Sequence, residues 1–169
     1  MNCIETERLL LEPLEQRHAQ ALFRGLKDTR IYQFIDDTQP HSIEELEKRY
    51  RTLERRKSPD GSETWLNWAI YSLADAKYVG YAQATLYESE TANLGYVVFF
   101  EDWGRGYGTE AVRAVIDYLK DVWQIKRFIA TVDKRNNRSR QLLQKLGFLE
   151  GQKTVLQSGA ADITFVKLV

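Results

Sequence analysis

One stretch near the middle of the chain, residues 94–111, limits the folds that this sequence can adopt. Its first part, Tyr96–Phe100, is apolar, β-branched and aromatic, which is typical of a strand. A run with helical periodicity begins at Thr109. Between strand and helix, glycines stand at three alternate positions: Gly104, Gly106 and Gly108. This order predicts an anion site, because the first amides of a helix have no partner within the helix.

Composition narrows the class of protein. The chain has 169 residues, 43% of them hydrophobic, which predicts one domain over residues 1–169 with a substantial core. Basic and acidic residues balance at 24 each, so we expect no nucleic-acid partner. One cysteine and two histidines make a metal site unexpected. No run approaches the roughly 18 apolar residues of a membrane span, and acids stand where a signal peptide is apolar. We therefore expect a cytoplasmic protein with no membrane partner.

The elements on either side of this stretch predict the fold. Those before it are strand, helix, helix, strand, strand: Arg8–Pro13, Glu15–Leu26, Ile43–Arg56, Trp65–Leu73 and Tyr78–Tyr87. Those after it are helix, strand, helix, strand, strand: Thr109–Val122, Arg127–Val132, Asn136–Leu146, Leu149–Leu156 and Asp162–Leu168. Short connections, including a turn at Glu88–Asn93, predict antiparallel neighbours, whereas the strand–helix–strand segment predicts one parallel pair. We expect an α+β (three-layer α/β) fold, with about seven mostly antiparallel strands and helices on both faces.

Two other phosphate-binding motifs compete with this interpretation of the glycine turn. A Walker loop is excluded, because no lysine follows these glycines. The dinucleotide fingerprint is matched formally by Gly106, Gly108 and Ala111, with Asp133 about 20 residues further on. Against it, Glu101–Trp103 separates the strand from the glycines, and too few residues follow Asp133 for further βα units. An NAD(P)-binding enzyme and a ligand-free turn both stay open as alternatives.

Three separated segments resemble the GCN5-related N-acetyltransferases, in the branch that includes the ribosomal-protein N-terminal acetyltransferases. Trp103–Gly108 is similar to the family's diphosphate loop, Gln/Arg-x-x-Gly-x-Gly/Ala, although Trp103 stands where the family has Gln or Arg. Thr6–Leu11 looks like the first strand of this branch, and Asn136–Phe148 looks like its downstream cofactor segment. The resemblance covers nearly the whole chain, and its motifs occur in the right order.

The resemblance implies acetyl-coenzyme A as co-substrate, with direct attack of a primary amine through a tetrahedral intermediate. The two parallel strands would separate at their C-terminal ends and admit the pantetheine arm, which would pair with the first strand. An amide at about Val98 would donate to the thioester carbonyl. The implied cofactor contacts are Tyr96, Val97, Val98, Gly104, Arg105, Gly106, Tyr107, Gly108, Thr109, Asn136 and Ser139. The basic residues between Lys134 and Lys145, together with Arg105, would face the phosphates unless they only form a solvated helix face.

The sequence offers several candidates for the residues that transfer protons. The resemblance implies that the Ser139 hydroxyl protonates the departing thiolate, although Ser139 and Asn136 would also suit the start of a helix. Four acids are candidate bases by position: Glu101, Glu88, Asp36 and Asp162. We take Glu101 together with Ser139 as the expected catalytic pair. The absence of a clear base keeps a non-catalytic acyl-coenzyme A sensor on the same fold as an alternative.

The acceptor pocket is expected between residues 31–40, the strand that carries Trp65 and Trp68, and the turn at 157–162. The expected contacts are Asp36, Trp68 and Glu88. The acidic pair Asp36-Asp37 would favour a cationic acceptor, such as a protein N-terminus or a small amine. By the same resemblance we expect a monomer or a homodimer.

Overall fold

Eight strands form one sheet in the computed structural model, which describes residues 1–35, 37–87, 89–155 and 161–169. The strands are β1 (Ile4–Glu5), β2 (Leu9–Pro13), β3 (Thr64–Ser72), β4 (Lys77–Tyr87), β5 (Thr91–Val98), β6 (Arg127–Asp133), β7 (Leu149–Val155) and β8 (Ala161–Leu168). The α-helices of these ranges are α1 (Ala19–Leu26), α2 (Ile43–Leu53), α3 (Tyr107–Trp123) and α4 (Asn137–Lys145). The strand order is β1-β2-β3-β4-β5-β6-β8-β7.

The predicted fold class is confirmed, because every strand pair is antiparallel except β5 with β6. The sheet has one strand more than expected. The additional strand, β1, has only two residues and pairs with Leu10 and Leu11 of β2. A two-residue strand is too short to produce an alternating pattern, which is why the sequence does not reveal it.

Helices cover both faces of the sheet. On one face, α3 buries Ala111, Val115 and Leu119 in a core that also contains Trp68 and Phe128. On the other face, α1 and α2 pack over the β2–β5 part of the sheet, and their buried side chains include Leu22, Leu46 and Tyr50. The segment predicted as one helix over 15–26 begins with a 3₁₀ turn at Gln16–His18, and α1 follows it.

The expected turn at Glu88–Asn93 is partly wrong, because Thr91–Asn93 already belong to β5. Thr91 and Ala92 are buried, but Ala92 and Asn93 carry a weak strand signal, because alanine and asparagine are depleted in strands. These residues alone pair with β6, in the register Thr91↔Arg127 to Asn93↔Ile129. Glu88 lies outside the described residues.

Beyond this short contact, β5 and β6 separate, as the resemblance implies. Among the described residues, β5 continues to Val98 paired only with β4, and β6 continues to Asp133 paired only with β8. One edge of each strand is therefore free of a strand partner. The opening between residues 94–98 of β5 and 130–133 of β6 is called the β5–β6 gap below.

Candidate active site

The backbone of β5 presents alternate groups to the β5–β6 gap. The Phe99 N–H donates to the Val79 carbonyl at 2.8 Å, and the β4–β5 register continues from there without a shift. In such an antiparallel ladder every second residue bonds to the neighbouring strand, and the residues between turn away from it. Tyr96 and Val98 therefore direct their backbone groups into the gap. The expected backbone contact from Val97 is wrong, since its groups face Tyr81 of β4 and its side chain is buried.

Trp103 joins the glycine turn to this strand end. Its indole N–H donates to the Val98 carbonyl at 2.7 Å, which leaves the Val98 N–H as the open group. Its ring packs on Phe100, and the Arg138 guanidinium lies 4.5 Å from the ring centre. The residue that departs from the family pattern thus makes its own contact to the gap. Sequence reasoning missed this contact, because nothing local marks a partner five residues earlier.

The glycine turn has the backbone geometry of an anion site. Gly104 and Gly106 have φ values of +79° and +83°, which other residues adopt only with strain. Gly106 precedes α3, and Glu110 is the first residue whose N–H bonds back to it, at 3.1 Å. Within the described residues, no backbone N–H from Gly104 to Thr109 donates to a protein group. Unpartnered donors at the start of a long helix suit a diphosphate.

Gly108 serves a different purpose from the other two glycines. It is helical, and a Cβ there would lie 3.0 Å from Leu142 Cδ1 and 3.4 Å from Val98 Cγ2. The missing side chain lets α3 approach both α4 and β5. The glycine turn, the start of α4 and the β5–β6 gap therefore meet at one point of the fold.

The Arg105 side chain is exposed but paired with acids of the chain, and the Tyr107 side chain is buried, so their amides are the groups left for a ligand. The Arg105 guanidinium lies 2.7 Å from Asp75 and 3.1 Å from Asp102. The Tyr107 hydroxyl donates to Asp75 at 2.9 Å and lies 3.1 Å from the Ser72 hydroxyl. Hydrogen bonds from Arg105, Tyr107 and Ser72 lower the pKa of Asp75 to about 2. The expectation that the Arg105 side chain faces phosphates is therefore wrong.

A pair of hydroxyls lies where α4 meets β5. The Tyr96 and Ser139 hydroxyl oxygens are 2.6 Å apart, and Ser139 is only 9% exposed. Burial raises the pKa of Tyr96 to about 12, although its hydrogen bond with Ser139 acts in the opposite direction. Asn136 caps α4, its Oδ1 accepting from the Ser139 N–H at 3.1 Å. Sequence reasoning placed Ser139 here but missed the Tyr96 side chain, which is distant in sequence and carries no motif.

Three of the basic residues near α4 contact other groups of the chain. Arg135 is bound to Asp133 at 2.5 Å, and Arg140 lies 3.3 Å from Glu150. Arg138 stacks on Trp103 instead. These contacts correct the expectation for Arg135 and Arg140, whose charges are paired with acids of the chain, and leave it a prediction for the other basic residues.

The candidate bases are separated by the fold. Glu101 is exposed and lies 3.2 Å from Lys77 of β4, on the side of β5 away from the gap, so its expected catalytic role is not supported. Asp36 and Glu88 lie outside the described residues. Asp162 stands directly opposite Asp133, where β6 and β8 pair at the C-terminal end of the gap. Asp162 is therefore one strand away from the gap, on the far edge of β6.

Trp68 was expected to contact the acceptor, and this expectation is wrong. Its side chain is fully buried beneath α3, with its ring 5.8 Å from that of Tyr118 in a T-shaped contact. Trp65 lies on the opposite face and donates to Glu63 at 2.8 Å. Two tryptophans three residues apart in one strand point to opposite faces, and the sequence does not tell which face is core.

The expected attraction of a cation by Asp37 is also weakened, because Arg49 binds its carboxylate at 2.8 and 3.1 Å. This ion pair lines a pocket of about 20 Å³ beneath α2, beside Tyr81 and the buried, unpartnered Tyr50 hydroxyl. Such a volume holds roughly one water molecule. A pocket of this volume is too small to enclose a whole acceptor.

Two further observations concern the described ranges as a whole. Among the helices found there, none combines the length and the apolar character that a membrane crossing requires. In the same ranges, histidine, cysteine, aspartate and glutamate side chains form no group of three or more that is suited to a metal ion.

The chain matches known acetyltransferases in sequence and in fold. Residues 8–149 match the family model described as an acetyltransferase (GNAT) domain. An uncharacterized N-acetyltransferase of Bacillus subtilis, YoaA, is 24% identical over 147 residues, which is 86% of this chain and 81% of that protein.

Solved structures are similar over almost the whole chain. A GNAT-family acetyltransferase from Bacillus anthracis has a TM-score of 0.84 at 20% identity, covering 98% of each chain. RimL, the ribosomal L7/L12 α-N-protein acetyltransferase, in complex with coenzyme A, has a TM-score of 0.85 at 17% identity, covering 99% of this chain and 98% of that one. At these identities the likeness shows the fold.

The observed sheet is not that of a dinucleotide enzyme, because the strands before the glycine turn form an antiparallel meander instead of crossover units. The NAD(P) alternative is therefore wrong. The match over residues 8–149, together with this sheet and its separated parallel pair, shows that the chain belongs to the GNAT family of N-acetyltransferases.

Proposed function

We propose that this protein transfers an acetyl group from acetyl-coenzyme A to a primary amine, with a protein N-terminus as the favoured acceptor. The observation that carries the proposal is the row of unpartnered amides from Gly104 to Thr109, located beside the open edge of β5. Donors of this kind fit a diphosphate, and an open strand edge fits an extended amide-bearing arm. Acetyl-coenzyme A contains both groups, and when bound it supplies an activated acetyl group.

Different residues of the chain would bind different parts of acetyl-coenzyme A. The amides of the glycine turn hold the diphosphate, while the Tyr96 backbone groups and the Val98 N–H hold the arm along β5. The Val98 N–H is the donor available where an acyl oxygen gains negative charge, and a fixed amide donor stabilises such charge without reorganisation. Asn136 remains a proposed contact to the arm, and its Oδ1 is already used in capping α4.

Ser139 is the proposed general acid. Its hydroxyl is buried at the first turn of α4 and lies 2.6 Å from the Tyr96 hydroxyl. When the Tyr96 O–H donates to Ser139 Oγ, the serine proton is left free to protonate a thiolate. Because the pKa of Tyr96 is raised to about 12, the phenol keeps its proton throughout the neutral range.

The amount of help that the amine needs depends on its pKa. An α-amine with a pKa near 8 loses its proton at pH 7 at a cost of about 1.4 kcal/mol, whereas a lysine at about 10.4 requires roughly 4.6. Of the candidate bases we propose Asp162 as a weak one, because it lies opposite Asp133 at the C-terminal end of β6, whereas the Asp133 carboxylate is paired with Arg135. This modest assistance favours an α-amine. The RimL similarity agrees, since that protein is described as an α-N-protein acetyltransferase. We expect a cytoplasmic monomer or homodimer.

Calorimetry with coenzyme A tests the binding part of the proposal. Gly106→Val forces a β-branched residue into φ +83° and should abolish binding. Gly61→Val is the matched control, because Gly61 also has a positive φ of +76° but has no neighbouring atoms within 4 Å of a Cβ. Equal affinity in wild type and Gly106→Val would contradict the proposal. Coenzyme A binding without thiol release across a panel of peptide and small-molecule amines would favour the sensor alternative.

A further inference from the structure

We propose that Arg8, in the connection before β2, is a positioning residue for the diphosphate-binding turn. This inference rests on the proposed function and deepens it, since it names a residue that controls coenzyme A affinity without belonging to the turn. Arg8 belongs to the Thr6–Leu11 segment, so the inference gives that segment a physical role beside the glycine turn.

Arg8 contacts the turn and the helix at once. Its Nη1 donates to the Arg105 carbonyl at 3.0 Å. Its Nε and Nη2 lie 2.7 and 2.6 Å from Glu110 Oε2, in the first turn of α3. The Arg8 backbone N–H and the Thr6 hydroxyl donate to the other oxygen of Glu110, at 3.0 and 2.6 Å. Residues about 100 positions apart are thus joined at the anion site.

The first consequence is geometric. A trans peptide unit is planar, so its carbonyl and its N–H point in opposite directions. Holding the Arg105 carbonyl on Arg8 therefore directs the Gly106 N–H away from Arg8. The Arg105 side chain is held from the other side by Asp75 and Asp102. Arg8 therefore holds the backbone of the turn at Arg105, and Asp75 and Asp102 hold the Arg105 side chain. Within the described residues, the amides of the turn have no protein partner.

The second consequence is electrostatic. Glu110 lies in the first turn of α3, close to the site for an anion. Burial opposes its ionisation, but hydrogen bonds from Thr6 and Arg8 outweigh burial and lower the pKa of Glu110. A carboxylate at this place would repel a diphosphate, and the Arg8 charge offsets it. Removing Arg8 should both release the turn and expose this repulsion.

Variants of Arg8 and Glu110 distinguish the geometric effect from the electrostatic effect. Arg8→Ala should weaken coenzyme A binding in calorimetry by about tenfold or more, as expected for loss of charge-assisted hydrogen bonds. Arg8→Lys should recover part of the affinity, because it keeps the charge but not the fork that spans two partners. Adding Glu110→Gln to Arg8→Ala should also recover part of it by removing the repulsion. Arg17→Ala is the control, as Arg17 pairs with Glu12 and Glu15 on the far side of the fold.

Kinetics and melting distinguish positioning from a loss of fold. Arg8→Ala should raise the KM for acetyl-coenzyme A and leave kcat at saturation within about twofold, with a melting temperature close to that of Arg17→Ala. Unaltered coenzyme A affinity in Arg8→Ala overturns the inference, and so does an affinity that neither Arg8→Lys nor added Glu110→Gln improves. If wild type binds coenzyme A but acetylates no amine, the proposed function fails while the calorimetry still decides the role of Arg8.

Discussion

The hydroxyls of Tyr96 and Ser139 lie 2.6 Å apart, joining the middle of β5 to the first turn of α4. β5 supplies the open edge of the β5–β6 gap, and α4 is positioned beside it by the close packing at Gly108. Ser139 is buried and Tyr96 is partly buried, and within the described residues each hydroxyl has the other as its hydrogen-bond partner. The roles of the two hydroxyls in proton transfer can therefore be tested by substituting each residue.

Ser139→Ala should lower kcat by about 10²-fold, the usual effect of losing a general acid. The affinity for coenzyme A should stay within about twofold, because the diphosphate amides are unaffected. The Asn136 cap uses the Ser139 backbone N–H and should also persist. Stopped assays of thiol release, with calorimetry in parallel, check this split. Loss of affinity with unchanged kcat would identify Ser139 as a binding residue instead.

Tyr96→Phe should lower kcat by about three- to tenfold, the value of one hydrogen bond. The ring and its packing are retained, so binding should persist. Because the wild-type pKa of Tyr96 is about 12, the rate of wild type should show no loss from tyrosine ionisation below about pH 10. A pH–rate profile of both proteins checks this. A basic limb near pH 8 or 9 that disappears in Tyr96→Phe would contradict the assignment.

Trp68→Ala should destabilise the protein by about 3–5 kcal/mol, since it removes a fully buried ring from the core under α3. Trp65→Ala, on the opposite face and partly exposed, should cost about 1 kcal/mol or less. Denaturant unfolding of both variants measures the difference. Similar costs for the two substitutions would argue against the observed assignment of faces.

Asp75 should make stability dependent on pH in the acid range. Its folded pKa of about 2 lies below the ordinary value of 3.8, so its contribution is complete above pH 3.8 and is lost as pH falls through about 2. Asp75→Asn should therefore melt at a lower temperature than wild type at pH 5, with the gap narrowing toward pH 2. A gap that is independent of pH would show that Asp75 does not act through its charge.

Sequence reasoning reached the fold class and the backbone form of the glycine turn because both depend on local signals. Glycines at alternate positions predict a turn with positive φ, and Gly104 and Gly106 have it. The errors concern side-chain direction. Arg105 was expected to face phosphates, but its guanidinium forms an ion pair with Asp75, in the β3–β4 connection. Trp68 was expected at the acceptor site, but the strand alternation leaves open which face α3 covers. Such choices are made by contacts between distant segments.

The most direct test of the central claim is mass spectrometry of a short peptide with a free N-terminus, incubated with acetyl-coenzyme A and enzyme. Wild type should add one acetyl group to the α-amine and release one equivalent of thiol, while Gly106→Val should do neither. A lysine side chain in the same peptide should react far more slowly. Coenzyme A release without any acetylated amine, or full activity in Gly106→Val, would contradict the account.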